Sequence, residues 1–252
     1  MNMNLMLIII IFYISHLLMI ITIPTVFSID NYNSSVICSP AKGNSNYNRS
    51  VNAILYVLVD YAPKQSGFWS VSWGPDPADW AYGLALCYGH EIVTPEMCTT
   101  CLTNAAMSVT TNSCNNSREA IIWLDNCLLK YSDKPFFGQI DTDHKFYSFD
   151  DDYSTLSWSN DTDANTTIRL LNEQVVEATT DQTGNLYVFN NYPLTNGTVD
   201  VVVQCTRDLS TDGCRVCLKD IIDDLRSSDT LKSGGKLFSG SCYVNYHICN
   251  VC

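Results

Sequence analysis

The chain has 252 residues, 46% of them hydrophobic, with 26 Asp and Glu against 14 Lys and Arg and a formal net charge of −12. That balance excludes nucleic acid and anionic membrane surfaces as partners, because both are held by clustered cations. Twelve cysteines, an even count, make the redox compartment the first question.

The N-terminus answers it. Leu5 to Ile23 is one apolar run, followed by Val26 and Ser28 placed for cleavage before Ile29, and residues 1–28 read as a secretory signal peptide. The run is also long enough to be retained as an anchor. Either way the rest of the chain is delivered outside the cytosol, where disulfides persist. No second run of that length follows, so signal removal leaves no membrane span. The remainder suits two domains of about 110 residues each. Sequons at Asn33, Asn48, Asn115, Asn160, Asn165 and Asn196 are candidate glycosylation sites.

Two stretches of the remainder are copies of one pattern. Tyr82 to Val109 and Val199 to Leu225 each carry an apolar approach to a Cys, a polar loop, Cys-x-x-Cys-Leu and a helical pattern. Ahead of them, Val51, Ile54, Leu55, Leu58 and Val59 share one helical face, as do Ile168, Leu171, Val175 and Val176. Residues 67–75 and 185–193 are β-rich and bounded by turn residues, so each copy is expected to run helix, strand, strand, helix. The second helix is capped by Thr94 ahead of Pro95 and Glu96 in the first copy, and by Ser210 or Thr211 with Asp212 in the second. Leu218, Ile221, Ile222 and Leu225 form its buried stripe, and two further strands follow, the last holding Cys127 or Cys242. The copies are placed at 31–138 and 151–248, with 139–150 as linker and 249–252 as tail.

The cysteines admit three readings. Zinc needs four converging ligands, and Cys98, Cys101, Cys114 and Cys127 have a passable spacing. The second copy has no counterpart of Cys38 or Cys114, so one metal site cannot serve both, and no metal or other cofactor is expected. A thioredoxin-like centre uses Cys-x-x-Cys at a helix start, but no βαβ pattern precedes either pair. Staples fit best. Because the counterparts of Cys38 and Cys114 are missing together, those two are expected to bond. The other four leave Cys87–Cys98 with Cys101–Cys127, the preferred pairing, or the crossed alternative. Cys249 and Cys252 lie outside the repeat; they close on each other, join two chains in a dimer, or stay reduced.

The repeat, its Cys205-x8-Cys214-x2-Cys217-Leu218 core, and "WLDNCLLKYSDKPFFG" from Trp123 resemble the plant cysteine-rich repeat secretory proteins with ginkbilobin-homologous domains. The first copy departs by having ten residues between Cys87 and Cys98. The resemblance implies an α+β fold, each repeat an antiparallel sheet of about five strands against two helices. It implies the bonds Cys38–Cys114, Cys87–Cys98, Cys101–Cys127, Cys205–Cys214 and Cys217–Cys242. It also implies a secreted, non-enzymatic binding protein of the apoplast, acting in defence or stress responses on an extracellular protein or glycan. In a mannose-binding relative an Asn, an Arg and a Glu hold the sugar. The matching positions here are Ser39, Ile121 and Ser132, and Lys236 and His247 in the second copy, so that pocket is not expected to bind mannose. Trp69, Trp73, Trp80 and Tyr82 are candidate stacking surfaces, although aromatics beside a first strand more often belong to the core. Asp150, Asp151 and Asp152 read as solvated linker. His90 and His144 sit in no nucleophile motif, so no catalytic residue is assigned.

Overall fold

The computed structural model of the chain describes residues 34–89, 93–149, 155–157, 162–180, 183–195, 197–227 and 230–249. The apolar run read as a signal lies outside these residues.

In the first copy β1 (Ser35–Cys38) leads to helix α1 (Ser45–Tyr61), then β2 (Phe68–Trp73), β3 (Ala81–Cys87), α2 (Pro95–Met107), β4 (Ala120–Leu124) and β5 (Cys127–Ser132). Asn44 caps α1, its side chain accepting from Tyr47 N (2.8 Å). Thr94 caps α2 by accepting from Met97 N (3.3 Å), with Pro95 in the first turn where a missing N–H costs nothing. Helix α2 ends in a π turn, Ser113 N reaching Ser108 O (2.8 Å).

The second copy repeats the order. Strands β6 (Lys145–Ser148) and β7 (Thr155–Ser157) precede α3 (Thr162–Thr180), β8 (Tyr187–Leu194), β9 (Gly197–Cys205), α4 (Thr211–Ser227), β10 (Thr230–Lys232), β11 (Gly234–Ser239) and β12 (Cys242–Cys249). Ser210 accepts from Gly213 N (3.0 Å) at the start of α4. The segment read as linker therefore contains a strand, because Phe146 and Tyr147 pair with Phe238 and Leu237 of β11.

Two five-stranded antiparallel sheets result, ordered β1-β4-β5-β3-β2 and β6-β11-β12-β9-β8, with β7 and β10 paired separately. On one face of the first sheet Val36, Ala120, Ile122, Leu129 and Tyr131 meet α1 and α2. Helix α1 crosses so close to β3 that a Cβ on Gly83 would stand 2.9 Å from Ile54 Cδ1, which explains glycine there. The second sheet turns Val199, Val201, Val203, Val244 and Tyr246 toward α3 and α4. The stripe of α3 is Ala164, Ile168, Leu171, Val175 and Ala178. Val176, read as part of it, is 52% exposed, because it is one residue out of step with the 3.6-residue period.

The other faces of the two sheets pack on each other. Leu84, Leu86, Ile121, Trp123 and Leu128 from the first meet Tyr187, Val202, Phe238 and Tyr243 from the second. This second burial explains why β4, Ala-Ile-Ile-Trp-Leu, is buried at all five positions although antiparallel strands commonly alternate. Trp123 donates through Nε1 to Ser239 O (2.9 Å), and Gly89 N donates to Gln204 Oε1 (2.9 Å). Tyr88 stacks on Tyr243 with ring centroids 4.2 Å apart. Arg207 donates to the carbonyls of Gln65 and Ser66 and lies over the Phe68 ring.

Candidate binding site

The disulfides frame the site. Cys38 bonds Cys114 (S–S 2.01 Å), Cys87 bonds Cys98, and Cys101 bonds Cys127. In the second copy Cys205 bonds Cys214 and Cys217 bonds Cys242. Each Cys-x-x-Cys is thus split. Its first cysteine ties the helix start to the end of β3 or β9, and its second ties the helix to the start of β5 or β12. Neither pair closes on itself as a thioredoxin-like centre would. Cys249 is also disulfide-bonded; Cys252 lies outside the described residues. Among the described residues no three His, Cys, Asp or Glu side chains gather as a metal site.

The packing of sheet on sheet leaves one corner of the first sheet uncovered. There Ile37 of β1 stands beside Ile121 of β4, and Ile121 beside Lys130 of β5, all on the face turned away from the helices. The chain leaving β5 folds over this corner and is pinned to the second copy. Asp141 N donates to Ser241 Oγ (3.0 Å), Gly240 N to Asp141 O (3.1 Å), and Gly138 N to Asp208 Oδ2 (2.8 Å). Between strap and sheet lies a cavity of about 580 Å³, within the size range of small-ligand pockets.

Ser39, Ile121 and Ser132 all line this cavity. The three positions at which the resemblance places sugar contacts are thus brought together, and here they carry a hydroxyl, a branched alkyl group and a hydroxyl. Each hydroxyl accepts one backbone bond, Ser39 Oγ from Ala41 N (3.2 Å) and Ser132 Oγ from Lys134 N (3.0 Å). In the second copy Lys236 Nζ is spent on Asp125 Oδ1 (3.0 Å), and His247 is exposed.

The charged lining is what motif reading missed. Lys130 pairs with Asp141, each side chain only 13% exposed, and lies 4.8 Å from the Phe136 ring centroid. His144 Nδ1 stands 2.9 Å from Asp141 Oδ1. Burial by itself would raise the Asp141 carboxyl, but Lys130 and His144 outweigh it and hold it below the usual carboxylate range. At the rim Lys134 meets Glu119 (3.0 Å). Burial pushes the Tyr131 phenol up to about 12, so at neutral pH it remains a donor to Ser117 O (3.1 Å). Ile37 and Ile140, 39% and 40% exposed, stand at the mouth. The sequence signal for this site was a single cation, Lys130, in an otherwise apolar strand.

The remaining candidates scatter. Trp69 packs against the first core and stacks on Tyr61 (centroids 5.5 Å), Trp73 is 43% exposed, and Tyr82 meets Phe137 edge-on. Trp80 is half-buried. Asn48 donates to Asn116 Oδ1 (2.8 Å), and Asn115 and Asn165 are exposed. Asn33, Asn160, Asn196, His90 and Asp150 to Asp152 lie outside the described residues. No described helix is long and apolar enough to cross a membrane.

Known proteins share this architecture. The salt stress response/antifungal domain matches residues 37–134 and again 151–248. The chain is 34% identical over 236 residues to cysteine-rich repeat secretory protein 38 of Arabidopsis thaliana, covering 91% of this chain and 90% of that one. It is 36% identical over 210 residues to the antimicrobial ginkbilobin-2-like protein of Castanea crenata, covering 81% of each. The crystal structure of the tandem DUF26 ectodomain of the Arabidopsis thaliana receptor-like protein PDLP5 superposes with a TM-score of 0.66 at 28% identity, over 86% of this chain and 99% of that one. With two matching domains, the same α+β repeat and four disulfides made by split Cys-x-x-Cys pairs, the chain belongs to the salt stress response/antifungal (DUF26) family.

Proposed function

We propose that this chain is a secreted, glycosylated protein of the apoplast that acts by binding and not by catalysis, as a protein-interaction module in defence or stress responses. Its first copy is placed at 31–138 and its second at 151–248, extended back to β6. One observation carries the reading. The corner cavity presents alkyl groups, Ile37, Ile121 and Ile140, beside the Phe136 ring, ringed by paired charges at Lys130, Glu119 and Lys134. An apolar floor with a polar rim suits an anchoring side chain from a protein partner. At the three positions where the relative holds its sugar, Ile121 offers no hydrogen bond and Ser39 and Ser132 offer only short hydroxyls in place of an amide and a carboxylate. The acidic balance directs partner choice away from nucleic acid.

The test is proximity labelling in plant tissue with wild type against Ile37→Asp/Ile140→Asp. Both residues are surface-exposed, so stability should change by about 0.5 kcal/mol or less each. Loss of a defined set of labelled ectodomains in the variant supports the cavity; an unchanged set removes it.

The stacked Tyr61–Trp69 pair and the exposed Trp73 on edge strand β2 favour a second reading, carbohydrate binding at a site other than the relatives' mannose pocket. Saturable binding on a glycan array that Trp73→Ala weakens, with the Ile37→Asp/Ile140→Asp variant unaffected, would select it.

A further inference from the structure

We propose that Cys38–Cys114 is a thiol-exchange site that latches one wall of the corner cavity, while the other four described bonds frame the fold. Three independent observations carry this. The first is access. Of the ten cysteines in the five described bonds nine are buried, and Cys38 alone is partly exposed, on the cavity lining. By contrast Cys217–Cys242 is enclosed, with the buried Ser239 Oγ 3.1 Å from one sulfur and 3.2 Å from the other. An attacking thiolate must reach a disulfide sulfur, so access sorts the bonds by exchange rate.

The second observation is dispensability. The second copy builds the same five-stranded sheet on two helices, with β6 at the edge that β1 occupies in the first. It has no cysteine at either corresponding position. The fold therefore forms without this bond. The third is leverage. Strand β1 is an edge strand, paired only to β4, and its Ile37 and Cys38, with Ser39 just after it, line the cavity. Its bond to Cys114 ties that edge to the turn after α2.

The co-reactant is a low-molecular-weight thiol of the glutathione class. Its thiolate attacks Cys38 Sγ, forming a mixed disulfide as the Cys38–Cys114 bond breaks, and Cys114 leaves as a thiolate that takes up a proton. A second thiolate attacks the sulfur of the small thiol in the mixed disulfide. This releases the small-molecule disulfide and the Cys38 thiolate, which is protonated in turn. Two electrons and two protons reach the protein, and two external thiols become one disulfide. Strand β1 then loses its one disulfide tie and keeps its ladder to β4, the packing of Val36 on the core and the backbone bonds Ser39 N to Glu119 O and Arg118 N to Ala41 O, so that local opening of this wall costs less.

The test exposes the oxidised, secreted chain to stepped glutathione buffers, quenches by alkylation and maps the labelled cysteines by mass spectrometry. Cys38 and Cys114 should be labelled roughly ten times faster than the other eight cysteines of the five bonds, with Cys249 and Cys252 scored apart. Hydrogen exchange at residues 35–41 should rise in the same sample, and in Cys38→Ser/Cys114→Ser, while the four helices stay protected. Earlier opening of Cys87–Cys98 or Cys205–Cys214 would overturn the proposal. So would unchanged exchange at 35–41, or loss of helix protection in step with the labelling of Cys38.

Discussion

At the scale of single residues, Asp141 joins the two halves of the molecule. Its backbone binds Ser241 and Gly240 of the second copy, and its carboxylate faces Lys130 of the first. Removing one member of so enclosed a pair leaves the other charge without its partner. Asp141→Asn should therefore cost roughly 2–3 kcal/mol at pH 7, somewhat less than for a fully buried pair because the cavity side is wet. The pH dependence has a definite sign. The folded pKa of Asp141 is depressed, so its contribution is complete above the ordinary carboxylate pKa and is lost as pH falls through the lower, folded value. Urea unfolding of wild type and variant should accordingly converge as the pH is lowered below the carboxylate range. Gly240 gives a steric counterpart. A Cβ there would run into the Asp141 side chain, including its Cβ, so the strap and not only a flexible tip must move. Gly240→Ala should lower stability by about 1–3 kcal/mol, read as a fall in melting temperature.

Among the elements, the two copies differ in how they are stapled. The first has three bonds, the widest spanning 76 residues, and the second has two among the described residues, spanning 9 and 25. In the chain-entropy account, closing a loop of the Cys217–Cys242 size contributes about 3.5 kcal/mol, and strain commonly lowers it. Cys217→Ser/Cys242→Ser should consequently destabilise the second copy by roughly 2–3.5 kcal/mol. In hydrogen exchange, α4 should lose protection while α1 and α2 keep theirs. Protection lost equally in both copies would mean that they unfold as one unit. The cap at Thr94 was readable in the sequence, and the one in the second copy was narrowed to Ser210 or Thr211, because caps follow from local chemistry. Strand β6 was not, because Lys-Phe-Tyr-Ser has no turn signal or alternation of its own and becomes a strand only by completing the β11 edge.

The whole molecule rests on a contact between the two sheets. Trp123 is fully buried there and Phe238 is 1% exposed. Phe238→Ala should cost about 3–5 kcal/mol, as large aromatic truncations in a core do. It should also separate one calorimetric transition into two; a single transition at the lower temperature would show that the remaining contacts still couple the copies. The contact decides where a ligand can sit, since it covers the middle of both sheets and stops at Ile121, beyond which the Ile37 and Lys130 corner borders the cavity.

The sequence by itself determined the repeat, its helices and the set of cysteines to be paired, because periodicity and turn chemistry are local properties. It left the pairing of Cys87, Cys98, Cys101 and Cys127 open between two arrangements, since spacing does not say which sulfurs meet. Tertiary structure decided that. It also buried both faces of β4, recruited β6 into the second sheet, and drew Lys130, Asp141 and His144 together around one cavity. These features depend on which surfaces meet across the two repeats, and residues far apart along a chain carry no local signal of the face that will cover them.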